Sequence, residues 1–292
     1  MEIIAKNLTF TYSPKSKNLA FRALTGVSVE INTGEFFGVI GKTGSGKSTF
    51  VQHINGLIKV QAESGSLFVG EHDLSDKKCD FRALRAKVGM MFQYPEHQLF
   101  AETVAEDVAF ALKNFAPELT EKEKAERVKS ALELVGLNYD AVKDKSPFDL
   151  SGGQKRRVAI AGVIVARPEI LVLDEPAAGL DPKGKRDFLE LLVKLHKDFV
   201  KTIIIVSHDM NLVAEYCTKV AVFSDGKILA TDTPKKVFSD KNLIENSGLS
   251  LPLTAFLTER LKEKGININS DLTVNDFTEK LAVALKNGGI RR

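Results

Sequence analysis

Apolar and polar residues alternate along IIAKNLTFTY and GVSVEI, the period-two pattern of strands with one buried face, whereas FFGVI (36–40) is solidly apolar and ends at a glycine. The first ninety residues therefore read mainly as strands, with SPKSKNLAFR as a polar turn or hairpin tip between them. Beyond residue 100 the period becomes helical. ETVAEDVAFALKNF sets Val104, Val108, Ala111 and Leu112 on one face, and TEKEKAERVKSALELVG opens on a Thr-x-x-Glu cap and closes at Gly136. A helix from about 151 runs to Pro168, after which strands and helices alternate through ILVLDEP, TIIIVSH and KVAVFSDGKILAT. Such alternation predicts a largely parallel sheet covered on its faces. The tail from about 240 predicts two amphipathic helices, one presenting Leu253, Phe256, Leu257 and Leu261, the other Val274, Phe277, Leu281 and Leu285 after a Thr273-x-x-Asp276 cap. Such helices are expected to pack on their own domain, with subunit contact as the other reading.

Composition narrows the field. The 292 residues, 43% apolar and 27% charged, suffice for one large α/β domain with an appendage or for two modest domains. A formal charge of +3, from 41 basic against 38 acidic residues, argues against nucleic acid as the main partner. Cys79 and Cys217 stand far apart with no paired spacing, which predicts a reduced, cytosolic protein. MEIIAKNLTF lacks the pattern of a signal peptide, and the longest apolar run, VAIAGVIVA at 158–166, is about half of what a bilayer requires. The chain is expected not to cross a membrane itself.

Chemistry concentrates in three places. Gly41-Lys42-Thr43-Gly44-Ser45-Gly46-Lys47-Ser48-Thr49 fits G-x-x-x-x-G-K-[ST], following an apolar strand and preceding a helix as that motif requires. Its glycines let successive N–H groups, and then the helix N-terminus, point at a phosphate chain. Lys47 can bridge the β- and γ-phosphates, and Ser48 can offer its hydroxyl to Mg²⁺. ILVLDEP ends a strand on Asp174 and Glu175, two carboxylates at the carboxyl edge of a parallel sheet. Asp174 would hold Mg²⁺ and Glu175 would take a proton from the attacking water as general base. LSGGQKRR (150–157) is a second anion-binding helix start, and a chain with one nucleotide needs it only for a γ-phosphate held by another subunit.

Together these residues resemble the ATP-binding cassette (ABC) family: GKTGSGKST looks like its Walker A, LSGGQ its signature, ILVLDEP its Walker B and AAGLD (177–181), ending at Asp181, its D-loop. The resemblance spans residues 2 to about 240. It implies a P-loop NTPase cassette of the α/β class: a mostly parallel core sheet, an N-terminal antiparallel β-subdomain, a helical subdomain near 94–166 and a small C-terminal helical extension. The nucleotide-binding domain would occupy 1–239 and a dimer-contacting extension 240–292. It also implies two ATPs between head-to-tail cassettes, each lying between one chain's cradle and Ser151, Gly152, Gly153 and Gln154 of the other. By the same resemblance Tyr12 stacks on adenine, His208 is the switch histidine that contacts the γ-phosphate, and Gln93 reaches Mg²⁺ and the attacking water. Ala177 departs from the family, which often has threonine there; no main role depends on it.

FQYPEHQLF, with GKTGSGKSTFVQHINGL, ALKNF and the late helices, is similar more narrowly to the second-type ATPases of energy-coupling factor (ECF) importers of vitamins and trace metals. The polar insertion from Ser13 to Phe21 fits that type. The resemblance implies a peripheral ATPase on the cytoplasmic face of the membrane, paired with a second cassette, either itself or a paralogue. It would work with a transmembrane coupling subunit and a separate substrate-binding membrane subunit. Tyr94, Pro95, Glu96, His97, Gln98, Leu99 and Phe100 would line the groove that receives a helix of the coupling subunit, with Pro95 keeping the segment out of helix. Competing readings are another ABC importer or exporter, a soluble ABC ATPase acting on ribosomes or DNA, and a non-hydrolytic sensor. The intact Lys47, Asp174, Glu175 and His208 speak against the last.

Overall fold

The computed structural model describes residues 1–12 and 20–287, so most of the insertion expected from Ser13 to Phe21 lies outside the described residues. Among those residues the chain forms two sheets. The first joins β1 (Ile3–Tyr12), β2 (Phe21–Ile31), β4 (Ser66–Val69) and β5 (His72–Asp73) in the order β2-β1-β4-β5, antiparallel throughout. The second contains β3 (Phe36–Gly41), β6 (Val88–Met91), β7 (Ile170–Asp174), β8 (Thr202–Val206), β9 (Lys219–Ser224) and β10 (Lys227–Asp232). Its order is β10-β9-β3-β8-β7-β6, parallel except for β10.

The solid apolar strands of this second sheet serve two cores at once. Phe36, Ile40, Leu171, Leu173, Ile203 and Ile205 face one, while Phe37, Val39, Ile170, Val172, Ile204 and Val206 face the other. The first core packs against α3 (Val104–Phe115), α4 (Glu121–Leu134), α6 (Gly152–Ile164) and α7 (Pro182–Asp198). The second packs against the antiparallel sheet and α1 (Lys47–Ile54). Burial on both faces is why these strands lack the alternation seen in β1.

Local signals set the helix starts. Thr103 with Glu106, and Thr120 with Glu123, form reciprocal capping boxes on α3 and α4. The expectation of strands over the first ninety residues fails at 81–87, which form α2 (Phe81–Lys87); Asp80 caps it by accepting from the N–H groups of Arg82 and Ala83. Pro95 does not exclude helix either: it opens a short 3₁₀ turn, Pro95–Gln98, at a position where its missing N–H costs nothing.

After α5 (Tyr139–Val142) and the elements named above, α8 (Met210–Tyr216) follows β8, and α9 (Pro234–Ser239) and α10 (Lys241–Ser247) lead into α11 (Leu253–Glu263) and α12 (Val274–Asn287). α8 carries the last two: Asn211 Oδ1 accepts the N–H of Leu253 (2.7 Å) and Glu215 Oε2 that of Val274 (2.8 Å). The apolar stripes expected of these helices are only partly covered. Phe277 is buried, but Leu253, Phe256, Val274 and Leu285 are exposed, and α11 turns Thr254 and Ala255 inward instead.

His53 on α1 is fully buried beside the Phe10 ring. Its Nδ1 donates to the Thr49 carbonyl at 2.7 Å, and Nε2 has no partner among the described residues. Burial holds its pKa below the ordinary 6.5. The unfolded chain therefore takes up this proton first, so stability is complete above the unfolded pKa and is lost as the pH falls from there through the folded value. Urea unfolding from pH 7 down to about pH 5 should show this slope, and His53→Leu should flatten it. Equal slopes in the two proteins would remove the assignment.

Candidate functional site

Four neighbouring parallel strands end at one edge and deliver the site. β3 leads into the loop 41–46, β8 into Ser207 and His208, β7 into Asp174 and Glu175, and β6 into Phe92 and Gln93. The carboxyl edge of an open α/β sheet is where such folds place ligands.

The loop after β3 is shaped as a cradle. Gly46 has φ 102, and a Cβ there would stand 2.4 Å from the Ala23 carbonyl oxygen, so only glycine lets the loop turn into α1. Lys47 is 5% exposed and folds back across the loop, its Nζ donating to the carbonyls of Gly41 and Lys42 at 2.8 Å each. Burial lowers its pKa, against the raising effect of Glu175 and Asp174. Ser45 Oγ is buried with no partner among the described residues, a hydroxyl left for something that enters the loop. Thr43, Gly44 and Ser48 are exposed, and the Lys42 side chain lies against Gly248 at the end of α10. Tyr12, half-exposed beside the cradle, has its hydroxyl 3.3 Å from Thr49 Oγ1.

The acids sit next to it. Asp174 is 8% exposed; burial raises its pKa, opposed by the nearby Ser48 hydroxyl. Ser48 and Asp174 thus form a hydroxyl–carboxylate pair at the cradle's end. Among the described residues no cluster of three or more His, Cys, Asp or Glu could cage a metal. This pair still fits Mg²⁺, which takes one or two protein oxygens and completes its shell with phosphates and water. Glu175 adopts left-handed backbone, φ 49, and its carboxylate is held at both oxygens. His208 Nε2 lies 2.6 Å from Oε1, and Gln93 Nε2 donates to Oε2 at 3.3 Å. A carboxylate oriented in this way is placed to accept a proton.

The signature lies at the start of α6, beside a cavity of about 250 Å³ lined by Ser151, Gly153, Gln154, Leu180 and Asp187 among others. In a capping box, Ser151 Oγ accepts the Gln154 N–H and Gln154 Oε1 accepts the Ser151 N–H, which fixes both side chains through their oxygens and leaves their own donor hydrogens unused by the box. Among the described residues, a Cβ on Gly152 or Gly153 would meet nothing within 4 Å. Neither residue has the positive φ that favours glycine. Alanine would make a better helix here, so the missing side chains leave room for something from outside the chain. Asp181 is occupied as the cap of α7, accepting from the Gly184 N–H at 2.9 Å.

The family profile described as ABC transporter matches residues 24–178, more than half of the chain. The chain belongs to the ABC transporter family. Within it, this cassette is 46% identical over 280 residues to the energy-coupling factor transporter ATP-binding protein EcfA2 of Clostridium acetobutylicum, covering 96% of each chain. It is 47% identical over 283 residues to the protein of the same description from Acetivibrio thermocellus, covering 97% of this chain and 98% of that one. Among solved structures it is similar to cbiO1 from Clostridium perfringens, described as part of the ABC transporter complex cbiONQ. The TM-score is 0.72 at 38% identity, with 88% of this chain and 98% of that one covered. It is also similar to the dimeric ATP-binding cassette MJ0796 in a post-hydrolysis state bound to ADP and Pi. There the TM-score is 0.69 at 30% identity, over 80% of this chain and 98% of that one. The cassette is thus an ABC ATPase of the second energy-coupling-factor type, with the expected antiparallel sheet, mostly parallel core sheet and helices.

The segment after Gln93 divides in two. Tyr94, His97, Gln98 and Phe100 are exposed, with the Tyr94 ring stacked on His97 and Phe100 edge-on to exposed Phe110 of α3. Pro95 and Leu99 are buried, Leu99 to 5% in the main core, so neither lines a surface groove. Sequence reasoning missed Phe110, which the helical pattern placed only by its offset from the buried face. It also missed Lys185 of α7, which pairs with Asp209 next to His208 and borders a small cavity behind Glu175. Among the described residues no helix is long and apolar enough to cross a membrane.

Proposed function

We propose that this cassette is the motor subunit of an ECF-type importer of vitamins or trace metals, working from the cytoplasmic face of the membrane. It would bind MgATP between two cassettes and hydrolyse it to drive uptake. The observation that carries the reading is the position of Glu175: Gln93 holds one of its oxygens, and the residues just after Gln93 present the exposed Tyr94 and Phe100. Hydrolytic geometry and a surface for a membrane partner are thus a few residues apart.

ATP enters the loop 41–49, where Lys47 exchanges the carbonyls of Gly41 and Lys42 for the β- and γ-phosphates and Ser45 donates its hydroxyl. Tyr12 faces the adenine. Ser48, Asp174 and Gln93 would hold Mg²⁺, which when bound neutralises charge on the phosphates. Glu175 takes the proton of the attacking water, and His208 fixes the Glu175 carboxylate and contacts the γ-phosphate. Ser151, Gly152, Gly153 and Gln154 of the second cassette close over the same phosphate, which accounts for the empty space above the two glycines. The uncovered positions of α11 and α12 support a further contact with that second cassette, with the cassette proper ending near 239 and the extension covering 240–292. A separate membrane subunit selects the substrate.

The docking surface is tested by pulling the tagged chain from its native membranes in detergent. The wild-type chain should bring down a second cassette ATPase and a multi-helix membrane protein. Phe100→Asp should lose the membrane protein while melting and binding ATP as the wild type does, because it places a charge on an exposed apolar face. Leu99→Arg should instead melt early, since a charge buried in a packed core costs several kcal/mol. Undiminished recovery with Phe100→Asp would move the docking site elsewhere. Recovery of ribosomal or DNA-bound proteins alone would sink the transport reading.

A further inference from the structure

Arg156 is the second basic residue after the signature, and on a helix that starts at the surface it would ordinarily reach into solvent. It is 3% exposed. A buried guanidinium must have its donors met, and here they are met by two distant segments. Nε and Nη2 reach both carboxylate oxygens of Glu96 in the 95–98 turn, at 3.0–3.3 Å. Nη1 donates to the Pro176 carbonyl and Nη2 to the Ala178 carbonyl, each at 3.0 Å.

Pro176 follows Glu175 directly. The loop from it to Leu180 is Pro-Ala-Ala-Gly-Leu, which has no polar side chain with which to anchor itself. Its own hydrogen bonds are Ala178 N–H to the Glu175 carbonyl and a long one from Leu180 to Ala177. Among the described residues, no other side chain from outside the loop donates to its backbone between 176 and 180. The Tyr94 ring lies close over the same loop: its Cε1 stands 3.4 Å from the place a Cβ would take on Gly179. Gln93 meanwhile touches Glu175 itself. The segment 93–96 and the loop after the general base are therefore fastened at several points, with Arg156 at the centre.

We infer that Arg156 is a positioning residue for hydrolysis: by clamping the 176–178 backbone to Glu96, it sets where the Glu175 carboxylate stands. It touches no phosphate and acts only through the loop. The inference rests on Glu175 as general base, and the two fail separately, because Glu175→Gln tests the base without disturbing the clamp. Lysine cannot replace the arginine, since one ammonium cannot span a carboxylate and two carbonyls in a planar fork.

The test uses the full chain, measuring steady-state hydrolysis over a range of ATP concentrations and equilibrium binding of a fluorescent ATP analogue. In Arg156→Lys, kcat should fall about tenfold or more while KM and the analogue's Kd stay within about twofold, the signature of lost geometry rather than lost binding. The losses in Arg156→Met and Glu96→Gln should be less than multiplicative when combined, because both break one clamp. If Arg156→Lys melts well below the wild type, Glu96→Gln, which keeps the side-chain shape, is read by the same criteria. A kcat within about threefold of wild type, a Kd that weakens in step with kcat, or multiplicative losses in the double variant would each overturn the inference.

Discussion

Glu175→Gln should lower ATP turnover by about 10²–10⁴-fold and leave ATP bound between closed cassettes. The amide keeps the size of the carboxylate and one of its oxygens. Either the bond from Gln93 or the approach of His208, at 3.3 and 2.6 Å in the native site, can therefore persist. What it loses is the capacity to accept a proton. Binding and chemistry thus separate in this variant: the phosphates still meet Lys47 and the helix N-terminus, and only the water is left inactive. Single-turnover hydrolysis combined with ATP retention through gel filtration measures both. Turnover at the wild-type rate would take the general-base role away from Glu175.

Lys47→Ala should fail one step earlier. The Lys47 ammonium is buried, and two carbonyls hold it at 2.8 Å in a place where burial disfavours its charge. Phosphates entering the loop give that charge stronger partners than carbonyls. A hydrogen bond to a charged group contributes about 1.5–3 kcal/mol, so losing two weakens ATP binding by about 10²–10⁴-fold. Calorimetric titration with ATP should show this loss, and hydrolysis should disappear with it. The pair of variants is diagnostic: one binds and does not turn over, the other does neither. ATP affinity unchanged in Lys47→Ala would mean that the cradle is not where the phosphates lie.

Most residues of the candidate site can be named from the sequence because their signals are local. The glycines and Lys47 lie within nine residues of one another, and the core-sheet strands that lead into the loop 41–46, Asp174 and His208 announce themselves as solid apolar runs. Thr120 and Glu123 likewise give α4 away over four residues. What escaped depends on contacts between distant segments. Arg156 looks like any charged helix residue until the fold brings Glu96, sixty positions earlier, against it. Leu99 and Phe100 are neighbours in a segment without a clear period, and only tertiary packing turns the first into the core and leaves the second outside. In the tail, the stripe of Leu253 and Phe256 predicted a buried face. The caps from Asn211 and Glu215 anchor the two tail helices by their N-termini, and much of that stripe stays exposed. Residues 81–87 were hidden for a different reason: Leu84 is the one fully buried side chain of α2, too little to mark a helical period.

With Glu175 as the proposed general base, its left-handed backbone sets stability against activity at a single position. A side chain other than glycine held there costs roughly 1 kcal/mol, and asparagine or glycine would meet the turn with less strain. The fold on its own would favour a residue that cannot accept a proton. Screens of this cassette for heat resistance alone will therefore tend to enrich inactive substitutions at 175, and the acid persists there only where turnover is selected together with stability.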